Sequence, residues 1–391
     1  MREKLKPKLR FNNFENPWNQ SLLMDQVEIR RGLTYKPNDV RSSGVRVLRS
    51  SNIVDDTFIL SDNDVFVDKA VVNIPRISNG DILVTAANGS TKLVGKHAIV
   101  ENLVDNEIVV HGGFMLLFKT EQNYFVNAWM SSNEYKRVLQ FVQGGNGAIG
   151  NLSSTVLKSM KMSFPSLQEQ TAIGSLLRTL DELIASYKDN LTNYQSLKAT
   201  MLSKMFPKAG QTVPEIRLDG FEGEWEEKEF GDVVKFYSGL TYKPSDVLSC
   251  GTLVLRSSNV RDGELIYIDN VFVNPDIVNC QNVKSGDIVV VVRNGSRDLI
   301  GKHALIRSEM PNTVIGAFMT GVRCDNPEFI NSLLDTKMFI SEIHRNLGST
   351  INQITTGNFK RMKFYFPLKD EQQAIGAYFS NLDNLINSHQ E

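Results

Sequence analysis

Gly89-Ser-Thr-Lys-Leu-Val-Gly95-Lys96 has the outline of a phosphate loop, in which backbone amides cradle phosphate oxygens and a lysine reaches the terminal phosphate. Its spacing defeats that chemistry. Five residues separate the glycines where the loop needs four, and His97 stands where Ser or Thr must hold magnesium. Gly295 to Lys302 fails in the same way. His97, His111, His303, His344 and His389 lack metal-ligand spacing to one another or to Cys250, Cys280 and Cys324. No nucleophile or paired carboxylate adjoins His97 or His303, so these read as structural or ligand-facing side chains. The chain has no Asn-Pro-Pro-aromatic tetrapeptide, no Gly-rich cofactor loop after a strand and no convincing nuclease carboxylate cluster. The expectation is no catalytic residue, no metal site and no cofactor bound by this chain.

What remains is chemistry suited to holding a polyanion. One set is Tyr35, Lys36, Arg49, Ser50, Ser51 and Asn52, and a second is Asn88, Gly89, Ser90 and Lys96. Further along stand Tyr242, Lys243, Arg256, Ser257, Ser258 and Asn259, then Asn294, Gly295, Ser296 and Lys302. Lys and Arg neutralise phosphates, and Ser, Asn and backbone amides bind phosphate oxygens. Arg and Asn also read guanine and adenine edges with paired hydrogen bonds. Asn88, Gly89 and Pro37 serve equally well as turn formers. Arg49 and Arg256, in Ser-rich loops beside strands, need an anionic partner and read as DNA ligands. The formal net charge is −1, which does not itself point to nucleic acid but permits a local basic face.

These residues come in pairs because the chain is written twice, with a period near 205 residues. Gly32-Leu-Thr-Tyr-Lys-Pro-Asn-Asp-Val40 returns as Gly239-Leu-Thr-Tyr-Lys-Pro-Ser-Asp-Val247, and Val47-Leu-Arg-Ser-Ser-Asn52 returns unchanged as Val254 to Asn259. Asn88-Gly-Ser90 matches Asn294-Gly-Ser296, Gly95-Lys-His-Ala98 matches Gly301-Lys-His-Ala304, and Phe114-Met115 matches Phe318-Met319. Each copy is long enough to be a domain in its own right. The copies differ at Arg31 and Ser238, Arg46 and Leu253, Ala87 and Arg293, and Thr91 and Arg297. Shared polar residues are expected to hold the DNA backbone. The differing ones, with Arg31, Arg46, Thr91, Arg293 and Arg297 among them, are expected to help distinguish bases.

The positioning elements follow from pattern. Short apolar runs behind turns predict strands over Arg46–Leu48, Asp81–Val84 and Gly113–Phe118, and over their partners Leu253–Leu255, Asp287–Val292 and Ala317–Val322. Helical spacing predicts one helix over Asn127–Phe141 and another over Pro327–Ile343. Ser166-Leu-Gln-Glu169 fits a capping box, which predicts a long helix after it. Ile173, Leu177, Leu180, Ile184, Tyr187, Leu191, Tyr194, Met201 and Met205 form a heptad seam on that helix, broken only at Lys198, and Pro207 and Gly210 end it. Ile375, Phe379, Leu382 and Ile386 begin the same seam again. The predicted fold is α+β: two tandem, similar mixed α/β domains, each followed by a helix, the helices packing as an antiparallel coiled coil. The expected boundaries are 1–165 and 207–367 for the domains, 166–206 for the long helix and 368–391 for a shorter second one. The odd, widely spaced cysteines argue against a disulfide framework and for a reducing compartment. No signal peptide and no membrane-length apolar run is evident, so a cytoplasmic location is expected.

Each copy opens Pro-x-Ile/Leu-Arg-x-x-x-Phe-Glu-x-x-Trp, at Pro7 to Trp18 and Pro214 to Trp225. Each ends Phe-Pro-x-x-x-Glu-Gln-x-Ala-Ile-Gly, at Phe164 to Gly174 and Phe366 to Gly376. This duplicated arrangement resembles the specificity subunits of type I restriction–modification enzymes over nearly the whole chain. The resemblance implies two target-recognition domains that each read part of a split sequence in double-stranded DNA. It implies helices that set the unread gap. It implies two methyltransferase subunits using S-adenosylmethionine on adenine, and a restriction and translocase subunit using ATP and magnesium. The family usually carries a full-length second helix, so a seam covered over only about half of the first helix is expected. The close similarity of the domains suggests related half-sites. The alternative reading is a protein-binding scaffold or decoy that engages restriction–modification subunits without reading DNA.

Overall fold

The computed structural model describes residues 7–140, 150–347 and 352–389. The chain divides into two compact units, Met1–Ala185 and Ser186–Glu391. In the first, a four-stranded antiparallel sheet runs His97–Ile99, Ile82–Thr85, Met115–Lys119, Glu28–Arg31. Ile82–Thr85 is buried at every position because both its faces are covered. Ile82 and Val84 pack with Phe118, Phe125 and Trp129, whereas Leu83 packs with Leu48, Val109 and Leu117. A second sheet orders Val109–His111, Val45–Leu48, Val65–Val67, Val40–Arg41, its first pair parallel.

The second unit repeats this plan. Its sheets run His303–Leu305, Ile288–Val291, Met319–Arg323, Lys235–Ser238 and Thr313–Ile315, Thr252–Leu255, Val271–Val273, Val247–Leu248. The α+β class and the tandem duplication therefore stand as expected. The helices predicted over Asn127–Phe141 and Pro327–Ile343 are instead helix pairs, Asn123–Met130 with Asn133–Gln140 and Pro327–Leu334 with Lys337–Asn346. Thr336 divides the second pair by capping the amide of Phe339 with its hydroxyl. Phe141 lies outside the described residues.

The long helix spans Leu167–Lys204, which at 1.5 Å per residue is about 57 Å. Only half of the predicted capping box forms. Ser166 Oγ accepts from the Glu169 amide, but the Glu169 carboxylate turns inward. There it takes Arg10 Nε and Nη2 at 2.7 and 2.6 Å and Trp18 Nε1 at 3.3 Å. Arg217 grips Glu371 in the same bidentate way at 2.8 and 2.7 Å. Gln170 and Gln372 each donate to the carbonyl of the proline five residues back, Pro165 and Pro367. The repeated Arg, Phe-Pro and Glu-Gln residues are thus a clasp that fastens the opening segment of each copy to the first turn of its helix; Trp18 joins it in the first copy, whereas Trp225 packs on Phe206 and Phe329 instead.

The heptad seam has several partners, which corrects the assignment of all its residues to helix pairing. Ile173 packs against the first unit's own core. Ile375, Phe379 and Leu382 are buried among Phe206, Trp225 and Phe329 in the second unit's core. Within that unit the late part of the long helix does run antiparallel to Lys369–Ser388. Tyr187 and Tyr194 meet His389, Lys198 Nζ lies 2.6 Å from Asp383, and Phe206 meets Phe379. Leu191 is half-buried there and Ile386 is buried. Earlier on the helix Leu177 is half-buried, while Leu176, Leu180, Leu183 and Ile184 are exposed. An amphipathic stripe states that apolar cover is needed but not what supplies it. Among the described residues no helix is long and apolar enough to cross a membrane.

Candidate nucleic-acid interface

Strand geometry delivers the two predicted polar sets to one place. In the first unit the chain leaves Glu28–Arg31 at Gly32, which abuts the backbone of Gly112. A Cβ on Gly32 would lie 2.0 Å from the Gly112 oxygen, and one on Gly239 would lie 2.2 Å from that of Gly316. Only glycine allows this approach. It sets the Thr34–Lys36 loop beside the turn Gly112-Gly113-Phe114-Met115. On the other side Gly112 donates to the Leu48 carbonyl, which sets the Arg49–Asn52 turn there. Asn88 closes the arrangement: its Nδ2 donates to Ser50 Oγ at 3.1 Å and its Oδ1 accepts from the Ser90 amide at 2.9 Å. Asn294 makes the same two bonds to Ser257 and Ser296 at 3.1 and 3.0 Å.

The result in the first unit is an open cleft of about 790 Å³ lined by Tyr35, Arg49, Ser50, Asn88, Gly89 and Phe114. A second cleft of about 660 Å³ lies on the other side of Phe114, lined by Arg31, Asn151, Ser153, Ser154 and Lys158. Arg31 donates to Ser154. Sequence reasoning missed Ser153, Ser154 and Lys158, which come from a segment distant in sequence. It also placed Phe114 and Phe318 within strands. The strands start at Met115 and Met319, and both rings stand exposed in the preceding turn.

Lys36, Arg49, Ser51 and Ser90 are exposed, as are Lys243, Ser258, Arg293, Ser296, Arg297 and Lys302. Tyr35 and Ser50 are half-buried in the cleft wall, and Thr91, Lys96, Tyr242, Ser257 and Asn294 are half-buried as well, Thr91 and Lys96 outside the cleft linings. Arg293 lies 4.9 Å over the Phe318 ring, and Arg297 donates to the His344 carbonyl at 3.3 Å. Arg256 is half-buried and donates to the Asp269 carbonyl at 2.5 Å, so it is less free than Arg49.

Three expected DNA ligands belong to the frame instead. Arg46 is held by Asp64 at 2.6 Å and Glu107 at 2.8 Å, over the ring of Phe66. With Nε and Nη1 both spent on carboxylates, no intact pair of donors is left to read a base edge. Asn52 is fully buried: it accepts from the Arg49 amide and donates to Ile59 O and Asp64 Oδ1. Asn259 is likewise buried, accepting from the Arg256 amide and donating to Ile266 O.

His97, His111 and His303 are buried and structural. Burial lowers the pKa of His97, whose ring meets the carbonyls of Gly95 and Asn127. His303 Nε2 lies 3.3 Å from Asp335, which Lys198 also contacts at 2.7 Å. Burial opposes the Asp335 charge, but His303 and Lys198 overcome it and bring its pKa to about 2. All three cysteines are free thiols. Among the described residues no group of three His, Cys, Asp or Glu side chains is placed to hold a metal ion.

Comparison with known proteins identifies the family and the fold. The family model for the type I restriction modification DNA specificity domain matches twice, over residues 15–194 and 222–391. The MjaVIII type I restriction enzyme specificity subunit of Methanocaldococcus jannaschii is 25% identical over 61% of this chain, and the match spans 59% of that relative. The putative MjaX specificity subunit of the same organism is 24% identical over 94% of this chain and 87% of that protein. The crystal structure of a type I restriction–modification S subunit from M. genitalium superposes with a TM-score of 0.63 at 15% identity, covering 99% of this chain and 94% of that one. This last likeness concerns the fold.

Proposed function

Because the chain belongs to the type I restriction modification DNA specificity family, we propose that it reads a bipartite target in double-stranded DNA and directs adenine methylation or cleavage by partner subunits. The observation that carries this reading is the duplicated frame. Each unit holds the same glycine contact and the same Asn–Ser link, while exposed side chains around them differ. Such a frame suits two related readers with different base preferences. The exposed Leu176, Leu180, Leu183 and Ile184 on the long helix supply apolar surface for a partner subunit. Two methyltransferase subunits and the restriction and translocase subunits complete the proposed complex. S-adenosylmethionine, ATP and magnesium would act in those partners, in the cytoplasm.

The test is a methylation map. The chain is co-expressed with its neighbouring methyltransferase subunit in a host without adenine methylation, and modified DNA is sequenced. A split motif with a fixed unread gap is the expected result. No new methylation, with the partner active beside another specificity chain, refutes the reading.

A further inference from the structure

An isolated exposed aromatic is ordinary on a protein surface, but Phe114 and Phe318 are not isolated cases. They occupy the same turn in both copies, 71% and 52% exposed. Their backbones are pinned. The Phe114 carbonyl accepts from the Ala86 and Ala87 amides at 2.9 and 3.0 Å, and Met115 N donates to Gly112 O at 2.8 Å. The Phe318 carbonyl accepts from Val292 and Arg293 at 2.9 and 3.2 Å, and Met319 N donates to Gly316 O at 2.9 Å. A stiff turn thus presents an apolar ring twice, contributing nothing to either core. Phe114 forms the ridge between the two clefts of its unit, with exposed Arg31, Arg49 and Lys158 beside it.

A ring held on a stiff turn, with cations beside it to meet the phosphates, reaches base edges when it enters the major groove. The apolar group on a base edge is the thymine 5-methyl, which lies in the major groove. We propose that Phe114 and Phe318 are base-reading residues, each ring touching the methyl group of one thymine in its half-site. This rests on the DNA-recognition reading above. The copies then differ in what accompanies the ring. Arg293 lies on Phe318 with its guanidinium steadied by the ring face. It is thereby aimed at the neighbouring base, where guanine offers two acceptors. Ala87 fills the equivalent position beside Phe114 and leaves that ring bare.

The test uses the full chain assembled with its methyltransferase subunit. Duplexes carry the mapped split motif, with uracil replacing one thymine at a time, and dissociation constants are measured for wild type, Phe114→Ala and Phe318→Ala. One thymine in each half-site is expected to matter. Removing its methyl weakens wild-type binding about four-fold, the worth of one buried methyl-sized group, and has no further effect on the variant lacking the matching ring. Phe114→Leu retains part of the sensitivity, and melting temperatures stay at the wild-type value because the rings are exposed. Unchanged affinity and motif in both alanine variants, or no thymine whose replacement couples to either ring, overturns the proposal while leaving the split motif standing. Absence of any split motif for the wild type overturns the recognition reading and this proposal together.

Discussion

Replacing Arg217 by Met tests whether the repeated opening motif acts as a clasp. Glu371 is 1% exposed and receives both donors of the Arg217 fork at 2.8 and 2.7 Å. The same guanidinium also donates to the carbonyls of Gly223 and Glu222 at 2.6 and 2.9 Å. Arg217→Met leaves the carboxylate buried without its counter-charge, at a cost of about 3–5 kcal/mol. For a unit of this size 1 kcal/mol moves the midpoint by about 2–4 °C. The lower end of the cost therefore predicts a fall of roughly 6–12 °C in the second unit's transition. Adding Glu371→Leu removes the stranded charge, and the double variant should recover most of the loss. Scanning calorimetry of the full chain reads all three proteins. A fall below about 2 °C for Arg217→Met, or a double variant whose loss is the sum of the singles, refutes the reasoning. Below their melting temperatures the variants should methylate the wild-type motif, because the clasp touches no reading residue.

Arg46→Ala should destabilise the first unit by about 3 kcal/mol by stranding Asp64 and Glu107. Exposed Arg49→Ala should leave stability within about 0.5 kcal/mol while lowering the salt dependence of DNA binding by about one ion; similar melting and similar salt slopes for the two would overturn this division. Exchanging Arg293 and Arg297 for the first copy's Ala and Thr should change the second half of the methylated motif and neither the first half nor the gap, and an unaltered map counts against the base-reading role. Burial holds His111 down to about 4, so the native state needs the neutral ring. Its contribution is complete above about pH 6.5 and is lost as the pH falls towards 4, amounting to about 3 kcal/mol. Ile315 stands at the matching strand position in the second unit. His111→Ile should therefore flatten the pH dependence of urea unfolding in the first unit, and an unchanged slope would show that another group titrates.

Much of this architecture is legible in the sequence because it is written locally and twice. Ile82–Thr85 and Ile288–Val291 are buried on both faces, so their continuous apolar runs have no other home. What stayed hidden depends on distant partners. Nothing near Arg46 announces Asp64 or Glu107, which lie 18 and 61 residues away. The heptad pattern of Ile375, Phe379 and Leu382 does not say what covers it; the second unit's core does, and Met201 and Leu202 of the long helix pack against that same cluster. The polar sets around Arg49 and Asn88 were recognisable as residue types. Their convergence depends on a Gly32–Gly112 contact that only the fold creates.

The two copies also form an internal experiment on which differences concern DNA. At three of the four differing positions the side chains reach solvent: Arg31 and its counterpart Ser238 are exposed, half-buried Ala87 corresponds to exposed Arg293, and half-buried Thr91 corresponds to exposed Arg297. The fourth is different in kind. Where the first copy has Arg46 paired with Asp64, the second has Leu253 and, in the place of Asp64, Asn270. The cation and its carboxylate disappear together, and Leu253 packs against the apolar core. Asn259 then donates to Asn270 Oδ1 at 3.2 Å, where Asn52 donates to Asp64 Oδ1 at 2.7 Å. The turn that carries Arg49 or Arg256 is preserved whether its support is ionic or neutral. A difference compensated inside the domain reports on the frame. Ala87 and Arg293 carry no such compensation, since Phe114 and Phe318 behind them are the same residue in the same turn. That uncompensated difference, on a face open to solvent in both copies, is where the two units can diverge in the bases they read.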